Sequence, residues 1–431
     1  MRLSALTVGL LLLAPGVRGM GAPVAVSAAG KPVQASADRT GEVVTSRLTP
    51  VLDALDARPS FLKAESRLSA VAPDGTQWQA RAGEKQMLVN GQPRAVSTAF
   101  SAADNDLVGP IIEVVEALGA VARFEAAANE LRVAHRLTQV EAFASDESAM
   151  VHLRLSAPAK GELHLLENPA RAYVDFPGLT WDGGTETMEI GGTGGLKKVR
   201  WALFQAWPPI ARVVVDLEEG AEVSLAQVAD RMFVISARPK SAPPPTKPAS
   251  LAGAHIIVDP AGGGADGGAR GAGAIEKAVA LDVAIRLAVR LMNAGALVTL
   301  TRDRDVAVGM GERAALAKEV NADLAVTIGC GAGQTPDERG VGSAYSAEAS
   351  AALAGALQAA MVTHLGAKDR GVARAPDAGL PGVSCPSVTC RIGFLTSADD
   401  EKLLASPDYR ERIAAALTEG IGGYLEPIRE P

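Results

Sequence analysis

A chain of 431 residues with 48% hydrophobic side chains holds enough apolar material for about two to four domains. Aromatics make up 4%, so the cores must be built from Ala, Val, Leu and Ile; 49 acidic residues against 42 basic ones, with no basic block, exclude nucleic acid as a main partner. Three cysteines, Cys330, Cys385 and Cys390, do not make a disulfide framework, although one bridge stays open on paper; the default reading is three small buried hydrophobes.

Met1-Arg2 followed by LSALTVGLLLLAP reads as a secretory signal peptide over residues 1–19, too short to span a bilayer and followed by small residues suited to cleavage. It places the mature protein in the periplasm or cell envelope. No later run is long and apolar enough for a membrane helix, so no transmembrane segment remains after cleavage. Residues 20–76 form an N-terminal segment. Its first part, to about residue 45, is rich in Ala, Gly, Ser and Val without a period and is expected to be flexible.

Residues 77–136 carry MLVNGQP, a strand closed by the Asn90-Gly91 turn. VGPIIEVVEALGA follows, a helix with Ile111, Val114, Val115 and Leu118 on one side and Gly119 as its stop, and then the hairpin ARFEAAANELRVA. This small α+β pattern resembles the N-terminal domain of copper amine oxidases; it has no metal cluster, so neither copper nor oxidase activity is implied. Residues 137–237 alternate polar and apolar side chains in short runs such as MVHLRLS and ARAYVDFPG, the texture of a β-sandwich. NPARAYVDFPG followed by VRWALFQAWPPIARVVVDL resembles the AMIN domain, a module that tethers envelope proteins. RPKSAPPPTKPAS, within 238–250, is a proline-rich linker.

From residue 251 to 428 the pattern changes to strands alternating with helices, which implies a doubly wound α/β sheet with its site at the carboxyl ends of the strands. HIIVDP, LVTLT, LAVTIG, GSAYS and SVTCRIGFL are the strands. EKAVALDVAIRLAVRLMNAG, GERAALAKEVNA, a stretch from about 348 and another from about 408 are the helices. In the first of these, Val279, Val283, Leu287 and Leu291 form an apolar row while Asp282, Arg286 and Arg290 take another face. The glycine-rich loop after HIIVDP lacks the Lys-Ser/Thr of a phosphate loop and a placed GxGxxG, and TRDRD at 301–305 reads as a solvated charged turn.

VDPAGGGADGGARG, VTLTRDRDVAVGMGERAALA, ADLAVTIGCGA, KDRGV and RIGFL fall in the order of the zinc-dependent N-acetylmuramoyl-L-alanine amidases, which this domain resembles over 254–425. The resemblance implies peptidoglycan as the material met by the domain and four functional positions. Gly262 stands where the family has its first zinc-binding His, Glu276 matches the zinc-binding Glu, Gly329 replaces the second His, and Arg391 replaces the catalytic Glu. Catalytic zinc needs about three protein ligands and an open position for water, glycine donates nothing, and arginine cannot act as a general base. Neither a catalytic nor a metal site is expected, and no cofactor.

None of the five histidines, His135, His152, His164, His255 and His364, falls on a family position; Asp266, Cys330 and Cys390 are the neighbours from which a relocated metal site would have to be built. Side chains one position along a strand point the other way, which argues against the two cysteines. Two arrangements are open for the retained carboxylate. Glu276 and Arg391 form an ion pair that substitutes for the metal charge, or Glu276 serves its helix N-terminus while Arg391 extends to solvent. The implied function is an exported envelope protein with an amidase fold, catalytically inactive, acting in peptidoglycan binding or the regulation of wall turnover, with peptidoglycan or another envelope component as its partner. The alternative is an active peptidoglycan amidase with a rearranged metal site.

Overall fold

The computed structural model describes residues 23–144, 148–190, 194–241, 248–335 and 337–429. The signal peptide and residues 242–247 of the proline-rich linker lie outside the described residues. The chain divides into two compact units, the first made of residues up to Arg136 with Trp207–Pro209, the second of Leu137–Ala206 with Ile210–Pro431.

The first unit corrects the expectation of a flexible N-terminal segment. Pro23–Ala28, Lys31–Thr40 and Val43–Arg47 are consecutive antiparallel strands of one sheet, continued by Asp106–Pro110 and Ser101–Ala103. Pro23–Ala28 also pairs in parallel with residues 130–133 of the far end of the unit. The 77–136 stretch therefore shares its sheet with residues before 77. Within it the local expectations hold: Asn90 and Gly91 both take positive φ (51° and 77°) between strands Gln86–Val89 and Gln92–Ala95. Helix Ile111–Ala117 ends before Gly119, and Val121–Glu125 forms a hairpin with Glu130 onward.

Residues 137–238 form two antiparallel sheets. One comprises residues 137–144, Ala149–Leu155, Met232–Arg238 and Glu222–Ala229; the other comprises Glu162–Leu166, Arg171–Pro177, Ile210–Leu217, Leu196–Gln205 and Glu186–Glu189. Burial alternates strictly along Ile210–Leu217, as a strand packed on one face requires. The inner faces meet in a core that includes Val151, Leu153, Val174, Phe176, Val213 and Phe233.

The C-terminal domain is built from β1 (His255–Pro260), α1 (Glu276–Asn293), β2 (Leu297–Leu300), α2 (Met310–Glu319), β3 (Leu324–Gly331), β4 (Val341–Tyr345), α3 (Ala351–Leu365), β5 (Asp369–Arg374), β6 (Ser387–Phe394), α4 (Ala398–Ala405) and α5 (Pro407–Arg429). The sheet order is β2-β1-β3-β6-β4-β5. The first four strands run parallel, but β4 is antiparallel to β6, so the sheet is mixed; β5 had no counterpart in the sequence reading. Ile256, Val258, Leu324, Val326 and Ile328 pack towards α1, α3 and α5, while Ile257 and Ala325 pack with Ala317 of α2 and Leu380.

Helix α1 is buried on two sides. Val279, Val283, Leu287 and Leu291 join the sheet core, and Ile285, Ala288 and Val289 pack against Met150, Val228, Met232 and Val234 of the sandwich. The charged face assigned to Asp282 and Arg286 is therefore buried. Arg286, 2% exposed, donates to Asp282 (3.0 Å) and to Glu411 of α5 (2.9 Å). Burial works against ionisation of Asp282, but Arg286 and Arg410 outweigh it and hold its carboxyl below the usual range.

Candidate functional site

The four positions singled out by the sequence do come to one end of the sheet. Pro260, which closes β1, pairs with Ile328 of β3; the next residue of β3, Gly329, pairs with Arg391 of β6; and Arg391 in turn pairs with Gly342 of β4. Glu276 opens α1 beside them.

Asp259, the first residue of the Asp-Pro pair, is 1% exposed and does no surface chemistry. Its Oδ1 accepts from Thr301 Oγ1 and Arg313 Nη1, both at 2.5 Å, and its Oδ2 from Thr327 Oγ1 at 2.8 Å. One buried carboxylate thus ties β1 to β2, β3 and α2, with its charge and lone pairs satisfied, as burial demands.

The loop from 261 to 275 is held from below by two buried arginines. Arg302 donates to the carbonyls of Pro260, Ala261 and Lys277, and Arg313 to the carbonyl of Gly262. This corrects the reading of TRDRD as a solvated turn: Arg302 is 3% exposed and acts as a peg for the loop. Burial pulls its guanidinium down to about 10, which leaves it protonated at neutral pH. Asp305 completes the support, accepting from Gly264 N–H (2.7 Å) and from Lys277 Nζ (2.6 Å). On the far side, Glu401 of α4 accepts from the N–H groups of Gly273 and Ala274; these contacts, Gly273 foremost, hold its carboxyl below the usual range.

Within this frame the loop folds onto Glu276. Ala269 N–H donates to Glu276 Oε2 (2.6 Å), Glu276 N–H donates back to the Ala269 carbonyl (2.9 Å), and Cys330 N–H donates to Oε1 (2.7 Å). Both carboxylate oxygens are therefore taken by backbone donors. The glycines around it leave room for the Glu276 carboxylate in this position, and a side chain at Gly329 would have to displace it. At Gly329 a Cβ would lie 2.8 Å from Glu276 Oε1, and at Gly268, where φ is +65°, a Cβ would collide with Oε2. Gly262 has φ +68° and a Cβ there would meet the Asp266 carbonyl at 2.8 Å, a conformation that disfavours any L side chain.

The expected ion pair is not formed. Arg391 is exposed, has no carboxylate within 4 Å among the described residues, and sets its guanidinium 5.5 Å from the centre of the Phe394 ring. The reason is local: the loop backbone satisfies Glu276 before any side chain can, and Arg391 runs over Gly331, where a Cβ would lie 2.7 Å from its Cδ. Of the two arrangements left open by the sequence, the structure has Glu276 at its helix N-terminus and Arg391 towards solvent.

The neighbours considered for a relocated metal site do not converge either. Asp266 is exposed and caps Gly268 N–H (3.0 Å), and His255 starts β1 at its other end, bonded to Thr299. All three cysteines are free; Cys390 is buried in the sheet core, where burial pushes its thiol up to about 12, and burial also raises Cys330. Among the described residues no group of three or more His, Cys, Asp or Glu is placed to hold a metal ion. The donor set at this site, one carboxylate already bonded twice, two glycines and an arginine, does not fit zinc.

A family profile for N-acetylmuramoyl-L-alanine amidases matches residues 256–422. The uncharacterised protein YqiI of Bacillus subtilis is 31% identical over 179 residues, 41% of this chain and 87% of YqiI. Through these residues the chain belongs to the N-acetylmuramoyl-L-alanine amidase family. The amidase LytC of the same bacterium is 33% identical over 178 residues, 40% of this chain, but the match spans only 36% of LytC. Among solved structures, the N-acetylmuramoyl-L-alanine amidase AmiC2 of Nostoc punctiforme is 33% identical over 40% of this chain and 97% of its own, with a TM-score of 0.39. The domain is thus an amidase-family fold homologous to peptidoglycan amidases, with multiple, mostly stranded elements before it. No helix among the described residues is long and apolar enough to cross a membrane.

Proposed function

We propose that this chain is an exported cell-envelope protein whose amidase-family domain engages peptidoglycan without cleaving it. The observation that carries the reading is the donor set: Glu276, the one family metal ligand that the sequence retains, is held by Ala269 and Cys330 N–H and has no second protein ligand beside it among the described residues. Without a bound metal, water keeps a high pKa and is a poor nucleophile towards an amide at neutral pH. Arg391, permanently protonated, cannot take the proton that a general base must accept. What the fold keeps is shape: beside the loop, a groove of roughly 600 Å³ runs between Ala274, Ile275, Glu401, Lys402 and Arg410.

The modules ahead of this domain support retention at the wall. The two antiparallel sheets of residues 137–238 agree with an AMIN-like tether, and the strand, helix and hairpin of 86–135 agree with the copper amine oxidase-like module. Export rests on the basic start and apolar stretch of the first residues. The test uses the full mature chain. Metal analysis after purification in zinc should find far less than one equivalent, incubation with peptidoglycan should release no stem peptides, and the protein should co-sediment with the wall. About one equivalent of zinc together with stem-peptide release would replace this reading with that of a working amidase whose ligands are rearranged.

A further inference from the structure

With Glu276 held by the backbone, the charge at the former catalytic position is left uncompensated, and it has company. Arg391 is locked by pairing on both sides, to Gly329 of β3 and Gly342 of β4. Arg370 of β5 reaches the same place: its Cβ lies 3.3 Å from where a Gly342 Cβ would be, Arg391 Nη1 lies 3.8 Å from the same point, and its guanidinium is 5.3 Å from the Phe394 ring that Arg391 also faces. Two guanidinium groups thus flank one buried aromatic ring. Arg370 has a carboxylate only at 3.8 Å, Glu338, and Arg391 has none within 4 Å among the described residues. Like charges brought together in this way repel, and an oxyanion between them relieves the repulsion while using the planar fork of each guanidinium. Gly331 and Gly342, which carry no side chains of their own, leave the room that Arg391, Phe394 and Arg370 occupy.

We infer that Arg391 and Arg370 form a carboxylate-recognition site that takes a free carboxylate of a peptidoglycan stem peptide. The inference rests on the proposed engagement of peptidoglycan and adds which part of it is read. The bond named by the family joins muramic acid to L-alanine, so a ligand lying along this end of the sheet carries a peptide, and the peptide carries carboxylates. The position that the family resemblance assigns to a proton-accepting acid has become an anion receptor.

The experiment measures equilibrium binding of the full mature chain to three probes: a disaccharide–tetrapeptide with free carboxylates, the same molecule with its carboxylates amidated, and a glycan strand stripped of peptide. The free acid should bind about fivefold or more tightly than the amide, as expected of exposed charge-assisted contacts, and the margin should shrink with added salt. Arg391→Ala should abolish the margin and Arg391→Glu should reverse it, whereas Arg391→Lys should keep part of it; an unchanged melting temperature shows that each variant is folded. Equal binding of acid and amide by the unmodified chain, or an Arg391→Ala variant that keeps the margin, would overturn the carboxylate site while leaving peptidoglycan engagement intact. Absence of binding to all three probes would overturn both.

Discussion

Replacing Glu276 by Ala asks whether the retained carboxylate is a leftover ligand or part of the framework. The side chain accepts two short backbone hydrogen bonds, at 2.6 Å from Ala269 and 2.7 Å from Cys330, and is only half-buried. Hydrogen bonds to a charged group contribute about 1.5–3 kcal/mol each, and partial exposure argues for the lower end, giving a loss of about 2–3 kcal/mol. For a unit of this size each kcal/mol moves the melting temperature by about 2–4 °C, so Glu276→Ala should melt about 4–12 °C lower. Glu276→Gln, which retains one acceptor but turns an NH2 group towards a backbone donor, should fall between Ala and the unmodified protein. Calorimetry gives the shift, and hydrogen exchange should show faster exchange at the Ala269 and Cys330 amides, with little change at Gly264. A carboxylate kept only for metal binding would behave in the opposite way, since removing an uncompensated acid from a metal site stabilises the apo fold. An unchanged or higher melting temperature for Glu276→Ala would therefore refute the structural role assigned to this residue.

Restoring the first family ligand should fail for steric reasons, because Gly262→His forces a left-handed residue onto the Asp266 carbonyl, whereas Gly329→His crowds Glu276 Oε1 and should displace that side chain from the Cys330 N–H. The triple variant Gly262→His, Gly329→His, Arg391→Glu is expected to melt lower than the parent and to release no stem peptide, which a melting curve and a release assay check. Glu411→Ala leaves Arg286 buried with Asp282 as its remaining partner and should cost about 3 kcal/mol in urea unfolding, the lower part of the range for a broken buried pair. His152 is 3% exposed, and burial pulls it from 6.5 to about 3, so the folded state stays neutral where the unfolded chain takes up a proton. Its folded pKa is the lower one; stability is complete above pH 6.5 and is lost as pH falls towards 3, by about 1.4 kcal/mol per pH unit at most. Asp282, Arg286 and Arg154 face the same ring, so the comparison should be between variants: His152→Leu is expected to flatten the dependence between pH 4.5 and 6.5, and an unaltered slope would contradict it.

Much of the C-terminal domain could be read from the chain because its signals are local. HIIVDP is a continuous apolar run, the α1 row repeats at helical spacing, and Gly295 marks the stop. What escaped was decided by partners distant in sequence. Pro23–Ala28 is a strand because residues 130–133 pair with it, and Arg302 is buried because the carbonyls of Pro260, Ala261 and Lys277, at the two ends of the loop, converge on it. The antiparallel turn of β4 and the exposed edge strand β5 follow from pairing that no periodicity encodes. At the candidate site, the identity of the four positions was legible, since glycine and arginine cannot do the work of histidine and glutamate. The fate of Glu276 was not. A carboxylate at a helix start with a glycine-rich loop before it has backbone N–H groups within reach, and that competition, rather than the charge of Arg391, settled its partners.

The double-sided packing of α1 has a practical corollary for anyone who dissects the protein. Cut free at the proline-rich segment, the amidase-family portion would present Ile285, Ala288 and Val289 to water as a contiguous greasy seam, with the polar cluster around Asp282 laid open next to it. Such a fragment should stick to itself or to detergent, and a failure of the isolated piece to bind the wall would say more about that seam than about the groove.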